Sequence, residues 1–237
     1  MTGISDFTAA SPVAPRAVLW DMDGTLFDST PYHWQAWQKV LTAEGYSLTR
    51  ERFMRTLGVV SEASLRALVG VDLPQPEVER ISAAKEACFR DLVLAGSIQF
   101  LPGVERWLER LRSEGWRQAL ATSAPRPNVD VLMRKLGMDR FFDAMVLAED
   151  VSQGKPDPEV FILAAQRLGV ARERCIVIED SPAGIEAARR AGICSIGVSS
   201  TGGTLAADCA VDSLDSLPHD FFERLLSSSC HALCQVL

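Results

Sequence analysis

From Arg117 onward, short apolar runs alternate with helical patterns, and no other feature of the chain narrows its fold so far. Residues 117–122 (RQALAT), 144–147, 175–178 and 193–198 read as strands. Between them lie a helix at 127–136 closed by Gly137, one opening at Asp157-Pro158 and ending near Gly169, and one from Ser181-Pro182 to Ala191-Gly192. An amphipathic helix at 104–114 precedes them, after the turn at Pro102-Gly103. Such an alternation predicts an α/β fold with a parallel, doubly wound sheet. Ligands of such sheets bind at the carboxyl ends of the strands.

The first strand stands apart from the others. Ala17-Val18-Leu19-Trp20 is a buried strand by pattern, followed at once by Asp21-Met22-Asp23-Gly24-Thr25. Residues i and i+2 of a strand share a side, so Asp21 and Asp23 are expected to converge. Two carboxylates that close demand a cation or a proton. Between this motif and Pro102, residues 31–96 carry apolar residues at helical spacing, divided by Gly45, Gly58, Gly70 and the Pro74/Pro76 pair into about four helices. The domain reading is therefore a loose leader at 1–15, a core at 16–29 and 99–237, and a helical insert at 30–98. The two crossings, near Asp28-Ser29 and at 98–103, are the expected hinges.

Composition sets outer limits. The 237 residues can bury a sizeable core, and a net charge of −7 disfavours nucleic acid as a partner. No apolar run has the length of a membrane helix, and the N-terminus does not read as a secretory signal. The six cysteines lack CxxC spacing and read mostly as reduced thiols of a cytoplasmic protein, with Cys230, His231 and Cys234 as a fraying tail rather than a metal site. The expected state is a monomer or weak homodimer, with Phe221-Phe222 and Leu225-Leu226 on a last helix packed against the core.

Each strand end offers a polar group: Asp21 and Asp23, then Thr122 and Ser123, then Lys155 in the loop after the third strand, then Glu179 and Asp180. Alone, each has a plain reading, such as an Asx turn, a solvated lysine or a capped turn. Together, at one sheet edge, they point to chemistry on phosphate. The carboxylates Asp21, Asp23, Glu179 and Asp180 call for a hard cation, and Mg²⁺ suits oxygen ligands and phosphate. Lys155, Thr122 and Ser123 can hold phosphate oxygens. One carboxylate can attack phosphorus while its neighbour handles the proton.

The segments DMDGT, ALATS, GKPDP and VIEDSPAGIEAARRAG resemble the four motifs of the haloacid dehalogenase superfamily, and the helical insert resembles its cap; the nearest subgroup is the β-phosphoglucomutase-like phosphatases. The resemblance implies a Rossmann-like core, Mg²⁺ and an aspartyl-phosphate intermediate. It makes Asp21 the nucleophile, Asp23 the general acid/base, Thr122 and Lys155 phosphate holders, and Asp180 a metal carboxylate with Glu179 beside it. The Met22 carbonyl matches a metal ligand. An acid at Asp23 argues against dehalogenation. Tyr32-His33-Trp34-Gln35-Ala36-Trp37 resembles the start of the mutase cap, with His33 near substrate or acid/base, and Lys85 matches a second cap position. Ser61 stands where the mutase carries an arginine for a second phosphate, and Pro125-Arg126 stands for a Lys-Asn pair, leaving Arg126 as the replacement cation. The expectation is a phosphatase of small phosphorylated metabolites such as sugar phosphates. A β-phosphoglucomutase-type mutase is the alternative; a receiver-like or degenerate binding protein is the non-enzymatic one.

Overall fold

The computed structural model describes residues 14–56, 61–70, 72–199 and 205–227. The expectations placed on 1–13, on 58–60, on the Ser61 side chain and on Cys230, His231 and Cys234 lie outside the described residues.

Six parallel strands form one sheet in the order β3-β2-β1-β4-β5-β6. They are β1 (Ala17–Trp20), β2 (Arg117–Ala121), β3 (Ala144–Val146), β4 (Cys175–Glu179), β5 (Cys194–Val198) and β6 (Cys209–Val211). The last is a strand that the sequence pattern did not reveal; three residues are too few for a periodic signal. β1 lies between β2 and β4, with Trp20 in register with Leu120 on one side and Ile178 on the other. The chain winds outward from β1 in one direction to β3, then crosses back to β4 and winds outward in the other. The reversal lies beside β1, where a crevice at the carboxyl ends is expected.

Both faces of the sheet are covered, which is why its strands are largely apolar. Val18, Trp20, Leu120, Ile176 and Ile178 point to one face. There they meet α5 (Val104–Ser113), α6 (Arg126–Leu136) and α9 (Phe221–Ser227). Ala17, Leu19, Ala119, Ala121 and Val177 point to the other, under α7 (Glu159–Leu168) and α8 (Pro182–Ala191). Phe222 of α9 sits 4.7 Å from the Trp107 ring, so the last helix does close the core. A buried Gln118 ties the layers together, accepting from Trp20 Nε1 at 3.0 Å and donating to the Leu108 carbonyl at 2.9 Å.

Among the described residues of the insert there are four helices: α1 (Thr30–Ala43), α2 (Arg50–Met54), α3 (Ser61–Val69) and α4 (Gln75–Ala95). Ser29 occupies the cap position of α1, and Pro31 lies in its first turn. The insert has its own apolar centre, including Trp37, Leu41, Phe53, Leu65 and Ile81. Ala36, Phe89 and Val93 instead join the core cluster, so α1 and α4 rest on the sheet domain. The two crossings lie side by side: Phe27 bridges Phe100, and the Leu101 amide donates to the Leu26 carbonyl at 2.9 Å. Cys88 and Cys175 are free thiols, as expected of most of the cysteines, and Cys194 is disulfide-bonded. No helix among the described residues is long and apolar enough to cross a membrane.

Candidate active site

Asp21 follows β1 directly, and its amide donates to the Ile178 carbonyl at 3.0 Å, extending the ladder by one residue. Its carboxylate is therefore fixed beside the end of β4. Lys155, from the loop between β3 and α7, reaches in with a side chain only 5% exposed. Its Nζ donates to Asp21 Oδ1 at 2.5 Å, to Glu179 Oε1 at 2.7 Å and to the Ala121 carbonyl at 3.3 Å. One cation thus joins the ends of β1, β2 and β4, and the Phe161 ring lies 5.0 Å beneath it.

Glu179 is buried, and both of its oxygens have protein partners. Oε1 takes Lys155, while Oε2 accepts from the Ser181 amide at 2.7 Å and the Ser181 hydroxyl at 2.9 Å. Ser181 in turn caps α8, accepting from the Gly184 amide at 3.1 Å. Gly184 leaves the space that Glu179 fills, since a Cβ there would lie 1.8 Å from Glu179 Oε1. A glycine-to-alanine change inside a helix ordinarily stabilises it by about 1 kcal/mol. Gly184→Ala is expected to reverse that sign and lose roughly 1–3 kcal/mol in thermal or denaturant unfolding, because Glu179 is displaced from Lys155.

Asp21, Glu179 and Asp180 offer oxygens that lie within 4.8 Å of one another. Gly24 is required beside them: it adopts φ +85°, and a Cβ would stand 1.9 Å from Asp180 Oδ2. Burial, with the charges of Asp21 and Glu179, pushes the Asp180 carboxyl up to about 9. Burial also lifts Asp21 to about 7, aided by Glu179 and Asp23 and opposed by Lys155. An all-oxygen, crowded and under-compensated acid set fits a hard divalent cation such as Mg²⁺, with Asp21 and Asp180 as holders and Glu179 adjacent. Both folded carboxyls bind protons more tightly than unfolded aspartate, whose ordinary value is 3.8. The folded state then holds more protons, so stability falls with rising pH. Metal-free protein is expected to melt progressively lower between about pH 5 and pH 9, by several degrees, with added Mg²⁺ flattening the slope.

Asp23 departs from expectation. The strand ends at Trp20, so the period of two does not carry to Asp23, and the acid set within reach of one ion does not include it. Its carboxylate turns toward the insert, where His33 Nε2 lies 3.5 Å from Asp23 Oδ1. Burial works to raise its pKa, but interactions with His33, Ser29 and Lys85 outweigh it and hold it low. The Met22 carbonyl accepts from the Leu26 amide at 2.9 Å, which occupies one of its two lone pairs.

Thr122 sits buried at the end of β2. Its hydroxyl oxygen accepts from the Ala124 amide at 3.1 Å, which leaves the hydroxyl hydrogen to donate. Ser123 beside it is half-buried. His33 and Lys85 are brought together at 2.9 Å, with the His33 ring stacked 4.1 Å from Phe89. Arg126 is not brought to the acids: its side chain is half-exposed, 3.8 Å from Asp130 along α6. Sequence reasoning missed Ser181 and Gly184 as supports of Glu179, although the Ser-Pro helix start was a usable signal. It also missed Glu86 and Asn128, which carry no motif.

A family model described as haloacid dehalogenase-like hydrolase matches residues 15–192. The chain belongs to this family. It is 35% identical over 182 residues to the phosphorylated carbohydrates phosphatase of Thermotoga maritima, covering 75% of this chain and 82% of that one. It is 31% identical over 202 residues to the β-phosphoglucomutase of Bacillus subtilis, covering 83% and 88%. A solved β-phosphoglucomutase from Clostridium difficile matches with a TM-score of 0.81 at 27% identity, over 90% of this chain and 97% of that one. The parallel sheet flanked by helices is thus that of a haloacid dehalogenase-like hydrolase, a Rossmann-like α/β fold.

Proposed function

We propose that this hydrolase is a phosphatase that cleaves small phosphorylated sugars, or metabolites like them, through an aspartyl-phosphate on Asp21. The observation that carries the reading is the placement of Asp21. It is a strand-end carboxylate with one oxygen held by Lys155 at 2.5 Å, so that Oδ2 is the oxygen left to attack. Kinship to a phosphorylated carbohydrates phosphatase supports the substrate class.

In this reading Lys155, Thr122 and Ser123 hold the phosphate oxygens. A bond forms from Asp21 to phosphorus as the ester oxygen leaves with a proton from Asp23. Asp23 then takes a proton from the water that attacks the acyl phosphate, releasing phosphate and restoring Asp21. A divalent cation held by Asp21 and Asp180, when bound, offsets the charge of the acids and the phosphate. Residues 30–98 act as the cap, closing on the paired crossings and excluding bulk water.

The test is phosphate release from a panel of phosphomonoesters with Mg²⁺, including both glucose phosphates and 2-phosphoglycolate, with sugar products followed in parallel. EDTA is expected to reduce release to background, and Mg²⁺ to restore it. Conversion of one glucose phosphate to the other without release would replace hydrolysis by the mutase reaction.

A further inference from the structure

The contact between the insert and α6 contains a polar chain that the proposed chemistry leaves unused. Asn128, in the first turn of α6, is 2% exposed. A buried amide is costly unless both its ends are bonded. Its Nδ2 donates to Glu86 Oε2 at 2.6 Å, and its Oδ1 accepts from Arg90 Nη1 at 3.0 Å. Glu86 and Arg90 lie one turn apart on α4, so a single core side chain is gripped by two residues of the insert.

The chain continues inward. Glu86 Oε1 accepts from Lys85 Nζ at 3.0 Å. Adjacent residues of a helix do not ordinarily face each other. This pair meets because each member is turned into the interface, Glu86 by Asn128 and Lys85 by His33. Lys85 is 3% exposed and lies over the Trp37 and Phe89 rings at 5.4 and 5.5 Å. Its Nζ can only donate, so His33 Nδ1 must accept, which puts the ring hydrogen on Nε2, 3.5 Å from Asp23 Oδ1. Both ends of the chain, Asn128 and Asp23, belong to the core; its middle belongs to the insert.

We infer that Asn128 and Glu86 are positioning residues: a clasp between α6 and α4 that registers the insert on the core and thereby aims His33 at Asp23. The clasp and the His33–Asp23 contact are both formed when the insert is seated. The inference rests on the reading of Asp23 as the acid that protonates the leaving oxygen. As the phosphorus–oxygen bond breaks, the electron pair goes to the ester oxygen and the proton arrives from Asp23. A misaimed acid therefore penalises leaving groups in proportion to their need for that proton.

The experiment compares kcat/KM, which covers steps up to formation of the acyl phosphate, for the best alkyl phosphomonoester of the panel and for p-nitrophenyl phosphate. p-Nitrophenolate leaves without a proton. Asn128→Ala is expected to lower kcat/KM on the alkyl ester roughly tenfold while changing that on p-nitrophenyl phosphate less than about threefold. Glu86→Gln, which keeps the shape but loses the charge toward Lys85, is expected to shift the ratio the same way by less, and stands in should the first variant not fold. Equal losses on both substrates would reduce Asn128 to a structural residue, and no loss on either would remove the clasp. If the wild type releases phosphate from nothing in the panel, the proposed function fails on its own. The clasp is then read by hydrogen exchange: Asn128→Ala is expected to speed exchange in α1 and α4 but not in β4 and β5, and unchanged α1 and α4 would overturn it.

Discussion

Asp21→Asn is expected to lower phosphate release by at least about a thousandfold while leaving the protein folded. The amide keeps the size of the carboxylate, and its oxygen can still accept from Lys155, which holds Asp21 at 2.5 Å. It cannot form an acyl phosphate by nucleophilic attack. The same change removes one negative charge from a site where Asp21 and Asp180 already resist ionisation. Metal-free Asp21→Asn protein is therefore expected to be at least as stable as the wild type above neutral pH, so loss of activity cannot be assigned to unfolding. Steady-state phosphate release, thermal melting and mass spectrometry of acid-quenched protein together check this. Phosphorylation of the Asp21→Asn variant, or retention of more than about a tenth of the wild-type rate, would place the nucleophile elsewhere.

Lys155→Met is the second large effect, and it acts on stability as well as rate. Lys155 is the cation that Asp21 and Glu179 share, and it is almost fully buried. Methionine keeps most of the aliphatic length over Phe161 but leaves the acids uncompensated. Removing one partner of a buried ion pair typically costs about 3–5 kcal/mol. The loss is expected to be largest at high pH, where Asp21 and Asp180 are forced to ionise, and to shrink toward pH 5, where they take up protons. Added Mg²⁺ should recover part of the melting temperature but not the activity, because the amine that holds the phosphate oxygens is gone. Denaturant unfolding at pH 5.5 and pH 8.5, with and without Mg²⁺, reads the prediction; a pH-independent loss would contradict it.

Much of this is legible in the sequence. The apolar runs at 17–20, 175–178 and 193–198 are strands because they are buried on both faces, and such burial writes itself into composition. Gly and Pro punctuation places the four helices of the insert correctly because helix starts and stops are local events. Glu179 and Asp180 can be named as a strand-end pair because β4 ends one residue past its apolar run.

The partnerships are not legible there. That Lys155 bonds Asp21 across 134 positions of sequence is a consequence of the strand order, which places β1 between β2 and β4. Strand periodicity makes Asp23 a fourth ligand only if the strand is extended past its end; the chain turns at Gly24, and the carboxylate goes to His33 instead. Arg126 stands, by resemblance, as the replacement for a cation of the mutase, and only the structure shows its side chain 3.8 Å from Asp130 along α6.

The sequence by itself determined five of the six strands of the sheet, the helices and the inventory of acids, hydroxyls and lysine at the sheet edge, since burial, capping and turn chemistry act between near neighbours. Which acid faces the cation and which faces the insert, and that a buried asparagine of the core bonds Glu86 of the insert, were decided only by tertiary structure. Those contacts join residues that approach one another solely because the sheet and the insert are packed together.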